Sequence, residues 1–547
     1  MRLRELRTSA GWGILIFAVS AVPYLLAYAL APRGSTFNGF FFIIDDAATY
    51  ISKMRQGADG AWGWADPYNT QPVAQPVLLF TFYIVWGKVA ALLHISMFAG
   101  YQLARLSGAV ALVFGVRMLV RSTLPPGRCR AVAAVLACVG SGAGFLLAIL
   151  SSATHQPAIL GQDVGALDLH LPELSGFYSV LAIPHFSWAA ALMAISVAQL
   201  MAVARVPRPS AAMEPSAWST VAMLALCLIH PQMIFLLAPL AAVYLLLVRA
   251  RPVSWGLVAI PFLVCVPLLV YDLRILTGDP VIVEWSKQWK HQAPGFLSLI
   301  FGLGLPLALA VVAVASGAGR RTPELSLLVA WLVLVGLMLY LPNPVNIQRR
   351  LIDGLYIPVG ILAAVGLEVV IERRARRRGS FRQPGPIVTL AVGVSVLTPM
   401  VLWLLATGWA VGHEPNLFLP ASEVAAIDWL SQSRGTADPA PGVLSDALSG
   451  LYIPERSGDR VYAGHYSETL SYLDRARLAR AEIQLGDGTG TVTSGSTTLP
   501  VDEFMQEQGI EYLFLGPVEV RAGVGPVPAA LSLVYDRDGV RIYRLGR

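Results

Sequence analysis

Residues 217–248 read AWSTVAMLALCLIHPQMIFLLAPLAAVYLLLV, 32 positions without a charge. As one helix this run would be roughly 48 Å long, too long for a bilayer core of about 30 Å. His230-Pro231-Gln232 sits at its middle, and proline breaks a helix interior. The stretch therefore reads as two short apolar helices, 217–229 and 232–248. The 547-residue chain agrees with it: 55% of residues are hydrophobic, 14% are charged, and the mean hydropathy is +0.61. Soluble proteins carry about 25% charged residues. The first 410 residues cannot supply a charged skin, so the chain reads as a polytopic membrane protein with a soluble tail. Its net charge of +6 comes from Arg-rich loops. In a membrane protein such loops report orientation, not a nucleic-acid partner. Four cysteines, at 129, 138, 227 and 265, follow no disulfide or metal spacing and read as small apolar residues.

Further spans of about 20 apolar residues are expected at Gly11–Ala31, 98–117, 131–151, 177–204, 253–272, 294–316, 324–341, 355–371 and 386–408. With the two short helices this makes about eleven. Pro76–Ile95 is apolar enough to be a twelfth, but it carries Lys88, and a lysine at mid-bilayer costs about 2.5–3.5 kcal/mol. Parity decides. With 76–95 lying along the outer surface, the Arg clusters at 117–130, 205–208, 249–251, 320–321 and 373–382 all share the side of the N-terminus, which then holds 19 Lys and Arg. With 76–95 spanning, all five clusters cross over, against the positive-inside rule. The N-terminus is thus expected in the cytoplasm and the tail outside. The expected fold is an all-α membrane domain, residues 1–411, with an outer interfacial helix, and a small extracytoplasmic α/β domain, residues 412–547. In the tail, strands are expected at Val443–Ser445, Arg460–Gly464 and Glu511–Leu515, helices at 421–431, 468–482 and 501–508. A hairpin, 531–535 with 540–545, should be joined through Asp536-Arg537-Asp538-Gly539. Thr489–Thr498 reads as a polar loop and not as a phosphate cradle, since no lysine follows its glycines.

The densest chemistry is Ile43-Ile44-Asp45-Asp46-Ala47-Ala48-Thr49-Tyr50, just after the first span. Paired carboxylates beside an apolar run need a positive partner, a metal or a proton. One of them can serve as general base toward a hydroxyl nucleophile; the plainer reading is an Asp cap on a helix over 47–56. A divalent cation on Asp45 and Asp46 is possible, although spacing names no third ligand. Arg349 and Arg350 stand at the outer end of a span, where excess Arg is unexpected, and a guanidinium grips phosphate bidentately. A structural alternative pairs them with Asp353 or with lipid headgroups. Arg105 lies about two turns into the second span, as an intramembrane functional charge or one snorkelling to the interface. His185 lies in an outward-facing helix start and His230 at an outer helix break, each able to hold a phosphate or a substrate hydroxyl or simply to cap. Glu284, Trp285, Lys287, Trp289, Lys290 and His291 read as an outer loop with an interfacial aromatic belt. Gly140–Gly144 reads as close helix packing.

Taken together, Asp45-Asp46-Ala-Ala-Thr-Tyr50, the Pro-initiated surface segment Pro76–Ile95 and Ala104-Arg105-Leu106 resemble the GT-C superfamily of membrane glycosyltransferases. The similarity is to the branch holding the dolichyl-phosphate-mannose protein mannosyltransferases and the lipid A aminoarabinose transferase. Tyr50–Gly57, Gln348–Pro358 and Gly516-Pro517-Val518-Glu519 resemble stretches of bacterial membrane proteins in the same superfamily. Two positions depart from the pattern: Asp45-Asp46 replaces Asp-Glu, and Gln75-Pro76 replaces His-Pro-Pro.

The resemblance implies an inverting transfer of a sugar from a polyprenyl-phosphate carrier to a hydroxyl of a glycan, lipid or protein acceptor. Asp46 is expected as base, with Asp45 second. Arg349 and Arg350 are expected at the departing phosphate, helped by His185 and His230, with Tyr50 and Arg105 completing the substrate-binding set. A secondary transporter or a handler of lipid-linked saccharides is the alternative. Against transport stand the scarcity of mid-membrane charge and the lack of a repeat. Against a receptor stands the short largest cytoplasmic loop, Glu372–Gly385.

Overall fold

Charge-poor helices with small residues at their crossings dominate the computed structural model, which describes residues 3–71, 75–153, 158–159, 162–205, 209–288, 292–341, 347–378, 385–434, 439–486 and 499–546. The polar loop 489–498 and Trp289, Lys290 and His291 lie outside them. By packing, the chain separates into two units. The first holds Met1–Pro23, Gln102–Val270 and Lys290–Gly408; the second holds Tyr24–Tyr101, Tyr271–Trp289 and Trp409–Arg547.

Eight described helices are long and apolar enough to cross a membrane, and two bent pairs raise this to ten. The expected eleventh, Met233–Leu247, is apolar but only 15 residues long. The protein is thus a multi-pass membrane protein. The break at His230–Gln232 falls where proline put it. The span expected over 177–204 is instead two helices, Gly176–Ala182 and Pro184–Arg205. Ile183 between them is extended (φ −131°, ψ 107°), the conformation a following proline imposes. The spans expected over 131–151 and 386–408 are likewise pairs, Arg128–Val139 with Gly144–Ala153 and Gly385–Ser395 with Leu397–Gly412, each bent by 48°.

At the first bend, several of the freed polar groups find partners elsewhere in the chain. Ser141 N donates to Ser395 O and Ala143 N to Phe301 O. Asp168, fully buried, accepts from Ser141 Oγ at 3.1 Å and Gly144 N at 3.3 Å. A Cβ on Gly142 would strike the backbone of Gly302, so this glycine stretch is indeed close packing. Glycines do the same for Tyr356–Arg378: side chains at Gly360 and Gly366 would collide with the backbone of Ala137 and of Leu309.

In the second unit a five-stranded sheet runs in the order 460–461, 442–444, 512–515, 540–545, 531–537. The first three strands are parallel, and the hairpin adds two antiparallel ones. Asp538 and Gly539 at its turn both have positive φ, 49° and 80°, as a tight hairpin requires. Residues alternate between the faces of a strand. Tyr512 and Phe514 join the core with Ile427, Leu430, Leu451 and Ala48, while Leu513 and Leu515 join Ala479, Ile483 and Met505. Helices Ala447–Arg456 and Pro517–Ala522 were not expected.

Residues 44–58 form the helix that carries the acidic pair, and Thr81–Leu92 forms the expected surface helix. Twelve residues extend only about 18 Å, too short to span. Lys88 on it donates to Gly60 O at 2.9 Å, beside the ring of Trp62. The two helices cross closely because a Cβ on Gly57 would meet the Ile84 carbonyl and one on Gly87 the Met54 carbonyl. The 280–291 segment is not an open loop where described. Pro280–Gln288 is helical, and Trp285 is buried against Trp64 and Phe80.

Candidate functional site

Two clusters of titratable side chains stand out, one in each unit. In the second unit, Asp45 and Asp46 occupy the first turn of helix Ile44–Ala58. The helix cap is Ile43, and no side chain caps it, so neither aspartate is the N-cap of a helix over 47–56. Their charges still complement the helix N-terminus. Ile43 itself is left-handed, φ 53° and ψ 47°. For a β-branched residue this strain costs about 1–3 kcal/mol, and it turns the chain so that the carboxylates begin the helix.

Asp45 is exposed and Asp46 half-buried. Desolvation by the surrounding protein pushes the Asp45 pKa up; His465 opposes the rise and Asp46 adds to it. His465 Nε2 lies 3.2 Å from Asp46 Oδ1, and the His465 side chain is only 1% exposed. Its other nitrogen, Nδ1, receives the backbone N–H of Ser467 at 3.3 Å and of Glu468 at 3.2 Å. An Nδ1 that accepts leaves the ring hydrogen on Nε2, which lies near Asp46 without making a hydrogen bond.

Beneath this pair runs a buried polar network. Lys53 Nζ meets Glu468 Oε1 at 2.6 Å and Thr49 Oγ1 at 2.9 Å, and Thr49 in turn donates to Asp46 O at 2.8 Å. Lys53 also lies 4.2 Å from the centre of the Phe80 ring. Asn69 links the Asp66 carboxyl, at 2.7 Å, to the Glu468 carbonyl, at 3.0 Å. Burial, then the Glu468 charge, pushes the Asp66 pKa up. Two acids and one cation thus share the interior. Tyr50 stacks on Tyr83, ring centres 4.2 Å apart and 8° from parallel.

In the first unit the structure gathers four of the sequence-expected residues. The His185 and His230 rings meet edge to face at 5.1 Å. His230 Nδ1 lies 2.8 Å from Asp353 Oδ2, so the carboxylate expected to pair with the arginines hydrogen-bonds a histidine instead. Arg350 lies 5.8 Å from the centre of the Phe186 ring, next to His185. Arg349 Nε approaches Glu173 Oε1 at 3.8 Å. Glu173 is buried, which raises its pKa; Arg350 and Arg349 pull it down and Asp353 raises it. Arg105 is fully buried, not snorkelling: it donates to Val180 O at 2.8 Å, to Ser20 Oγ at 3.0 Å and to Gln102.

The sequence reading missed His465, Glu173 and the Lys53–Glu468–Asp66 network. His465 and Glu468 lie more than 400 positions from Asp46 and Lys53, so no local spacing links them. Glu173 sits in a short 3₁₀ turn, Pro172–Leu174, with no periodic pattern.

No family model matches the chain, and no curated protein matches it in sequence. Solved structures do match in shape. The Archaeoglobus fulgidus oligosaccharyltransferase tethered with an acceptor peptide superposes with a TM-score of 0.53 at 13% identity, over 92% of this chain and 69% of that one. ArnT from Cupriavidus metallidurans bound to undecaprenyl phosphate gives 0.52 at 15% identity, over 97% of this chain and 98% of that one. The mycobacterial arabinofuranosyltransferase AftD gives 0.51 at 16% identity, over 97% of this chain but only 40% of its own. The chain has the GT-C fold. At these identities the likeness is one of architecture. On this GT-C frame, no group of three or more His, Cys, Asp or Glu among the described residues is arranged to hold a metal ion.

Proposed function

We propose that this protein is a membrane glycosyltransferase moving a sugar from a polyprenyl-phosphate carrier to an acceptor hydroxyl, with inversion. The observation that carries the reading is the Asp46–His465 contact at a strained helix start. It presents one half-buried carboxylate, beside a buried imidazole, on a fold shared over nearly full length with a protein bound to undecaprenyl phosphate.

The acceptor O–H gives its proton to Asp46 as the oxygen bonds the anomeric carbon. The bond from that carbon to the phosphate oxygen breaks, and polyprenyl phosphate leaves with the electron pair. Asp45 shares the negative field and stands second as base. His465 is proposed as a positioning residue: its buried ring, 3.2 Å from Asp46, limits where that carboxylate can sit. Arg349 and Arg350 are proposed to hold a phosphate, with His185 and His230 as hydrogen-bonding helpers. Tyr50, fixed by its stacking on Tyr83, is proposed as a substrate contact. Arg105 was expected in the same set; its known bonds serve the helix bundle. No step is routed through a metal. The protein is placed by this reading in the cell membrane, N-terminus in the cytoplasm and residues 412–547 outside, where a glycan, lipid or protein acceptor would be met.

Lipid mass spectrometry on native membranes tests this. A deletion strain carrying the wild-type chain is compared with one carrying Asp46→Asn. Accumulation of a polyprenyl-phosphate sugar, together with a glycan that lacks one residue, is the expected result in the variant. Unchanged lipids and glycans with the variant stably inserted would remove Asp46 from the chemistry, and transport assays would follow.

A further inference from the structure

The helix that carries Asp46 has a second face. Arg55 lies nine residues beyond Asp46, which at about 100° per residue puts it on the opposite side of the helix. There the second unit contains a cleft of about 410 Å³, within the roughly 300–1,000 Å³ of small-molecule sites. Arg55, Asp59, Phe98, Asp428, Glu455 and Arg456 are among its walls.

Glu455 is the anomaly. Its side chain is fully buried, and neither carboxyl oxygen has a hydrogen-bond partner. The nearest cation is Arg456, whose Nε lies 3.3 Å from Oε1 and also lacks a hydrogen bond. A buried carboxyl without hydrogen bonds costs several kcal/mol by order of magnitude, so the site holds unspent donors and acceptors. Burial pushes Glu455 up to about 8, against the pull of Arg456 and Arg55, so near neutrality it is largely a protonated carboxyl that both donates and accepts. Arg55 Nε is spent on the Glu455 carbonyl at 3.2 Å. Arg434 meets Asp59 at 3.3 Å. Arg456 lies 5.4 Å from the centre of the Phe98 ring.

The wall charges nearly cancel, which disfavours a phosphate or a bare cation as occupant. Fixed guanidinium donors, carboxyl acceptors and an apolar wall at Ile51, Met97 and Phe98 match a molecule with paired hydroxyls and a C–H face. We propose that this cleft binds an uncharged saccharide, with Asp428 and Arg456 supplying its hydrogen bonds and the buried Glu455 carboxyl, 3.3 Å from Arg456, positioning that guanidinium. The proposal does not depend on Asp46 being a base.

The test uses the full-length, detergent-solubilised chain, fluorescently labelled. It is applied to an array of neutral oligosaccharides of glucose, galactose, mannose and arabinose, printed beside sialylated and phosphorylated glycans. Retention on neutral glycans is expected. It should fall at least tenfold in Asp428→Asn, a substitution at an exposed position that leaves the fold alone, and in Glu455→Leu. Glu455→Gln, which mimics the protonated carboxyl, should keep it. Asp46→Asn should bind as the wild type does, which separates this site from the transfer reaction. No retained glycan, retention of charged glycans only, or full retention by Asp428→Asn would overturn the proposal.

Discussion

The two units each contain a histidine–aspartate pair, built the opposite way round. In the second unit the imidazole is the buried member: His465 is 1% exposed, while the Asp46 side chain is 34% exposed. In the first unit the carboxylate is the buried member: the Asp353 side chain is 1% exposed and that of His230 is 8% exposed. The same two groups thus suit two different tasks. One pair presents a carboxylate beside an imidazole, suited to taking a proton from a hydroxyl. The other presents an imidazole held by a carboxylate, which fixes the ring and leaves its far nitrogen for an anion. On the proposed reading the buried partner would set geometry and the more exposed one would meet substrate.

The hardest blow to this comparison is Asp46→Asn. Turnover with a polyprenyl-phosphate sugar should fall by about 10²–10⁴, the usual worth of a general base. A loss under tenfold, in protein that inserts normally, breaks the assignment. Next comes the support under Asp46. Lys53→Met strands Glu468 in the interior and should destabilise the protein by about 3–5 kcal/mol, read as a lower thermal midpoint in detergent. The double variant Lys53→Met/Glu468→Leu should recover most of it, because the Glu468 carboxylate that Lys53 balanced is removed with it.

A sharper contrast comes from removing each buried partner. His465→Gln should lower kcat about tenfold with acceptor affinity little changed, since the buried ring that positions Asp46 is gone. Asp353→Asn should instead weaken binding of undecaprenyl phosphate about tenfold, or roughly 1.4 kcal/mol, with kcat at saturation little changed. If the two variants showed the same split between kcat and affinity, the division of labour would be wrong.

The smallest effect concerns an acid with no such partner. Glu482 is buried, one of its oxygens has no hydrogen bond, and burial alone raises its pKa to about 7. An acid whose folded pKa is raised keeps its proton longer in the native state, so stability is lost as pH climbs from about 4.3, the unfolded value, to about 7. Glu482→Gln should unfold as the wild type does at pH 4 and at a higher temperature than the wild type at pH 8, by differential scanning fluorimetry.

What was legible in the chain followed range of interaction. The membrane helices were readable because burial in lipid needs only a local run of apolar residues. The break at His230–Pro231 was readable because proline acts on its own helix. The bends at 140–143 and 395–397 were not, because Ser141 N and Ala143 N are satisfied by Ser395 and Phe301, far along the chain. Asp45 and Asp46 were visible as an adjacent pair. His465 was not, since its meaning comes from a contact across more than 400 residues. Arg350, His185 and His230 were suspected singly, each for its odd position; that Asp353 would hold His230 depended on a tertiary contact that spacing does not encode.

The short strand Ser35–Phe37 pairs with Phe418–Pro420, Thr36 opposite Leu419. Further on, Tyr68 donates to the Leu451 carbonyl and Ala48 shares a core with Phe514. Residues 412–547 are therefore not a cassette. A chimera exchanging that segment alone would carry Glu468 away from Lys53 and His465 away from Asp46, and would graft a sheet lacking Ala48 and Tyr68 from one of its cores. Evolution or engineering that swaps specificity on this scaffold has to trade residues 24–101 and the tail together, so the two stretches form one heritable block although some 300 residues separate them in the sequence.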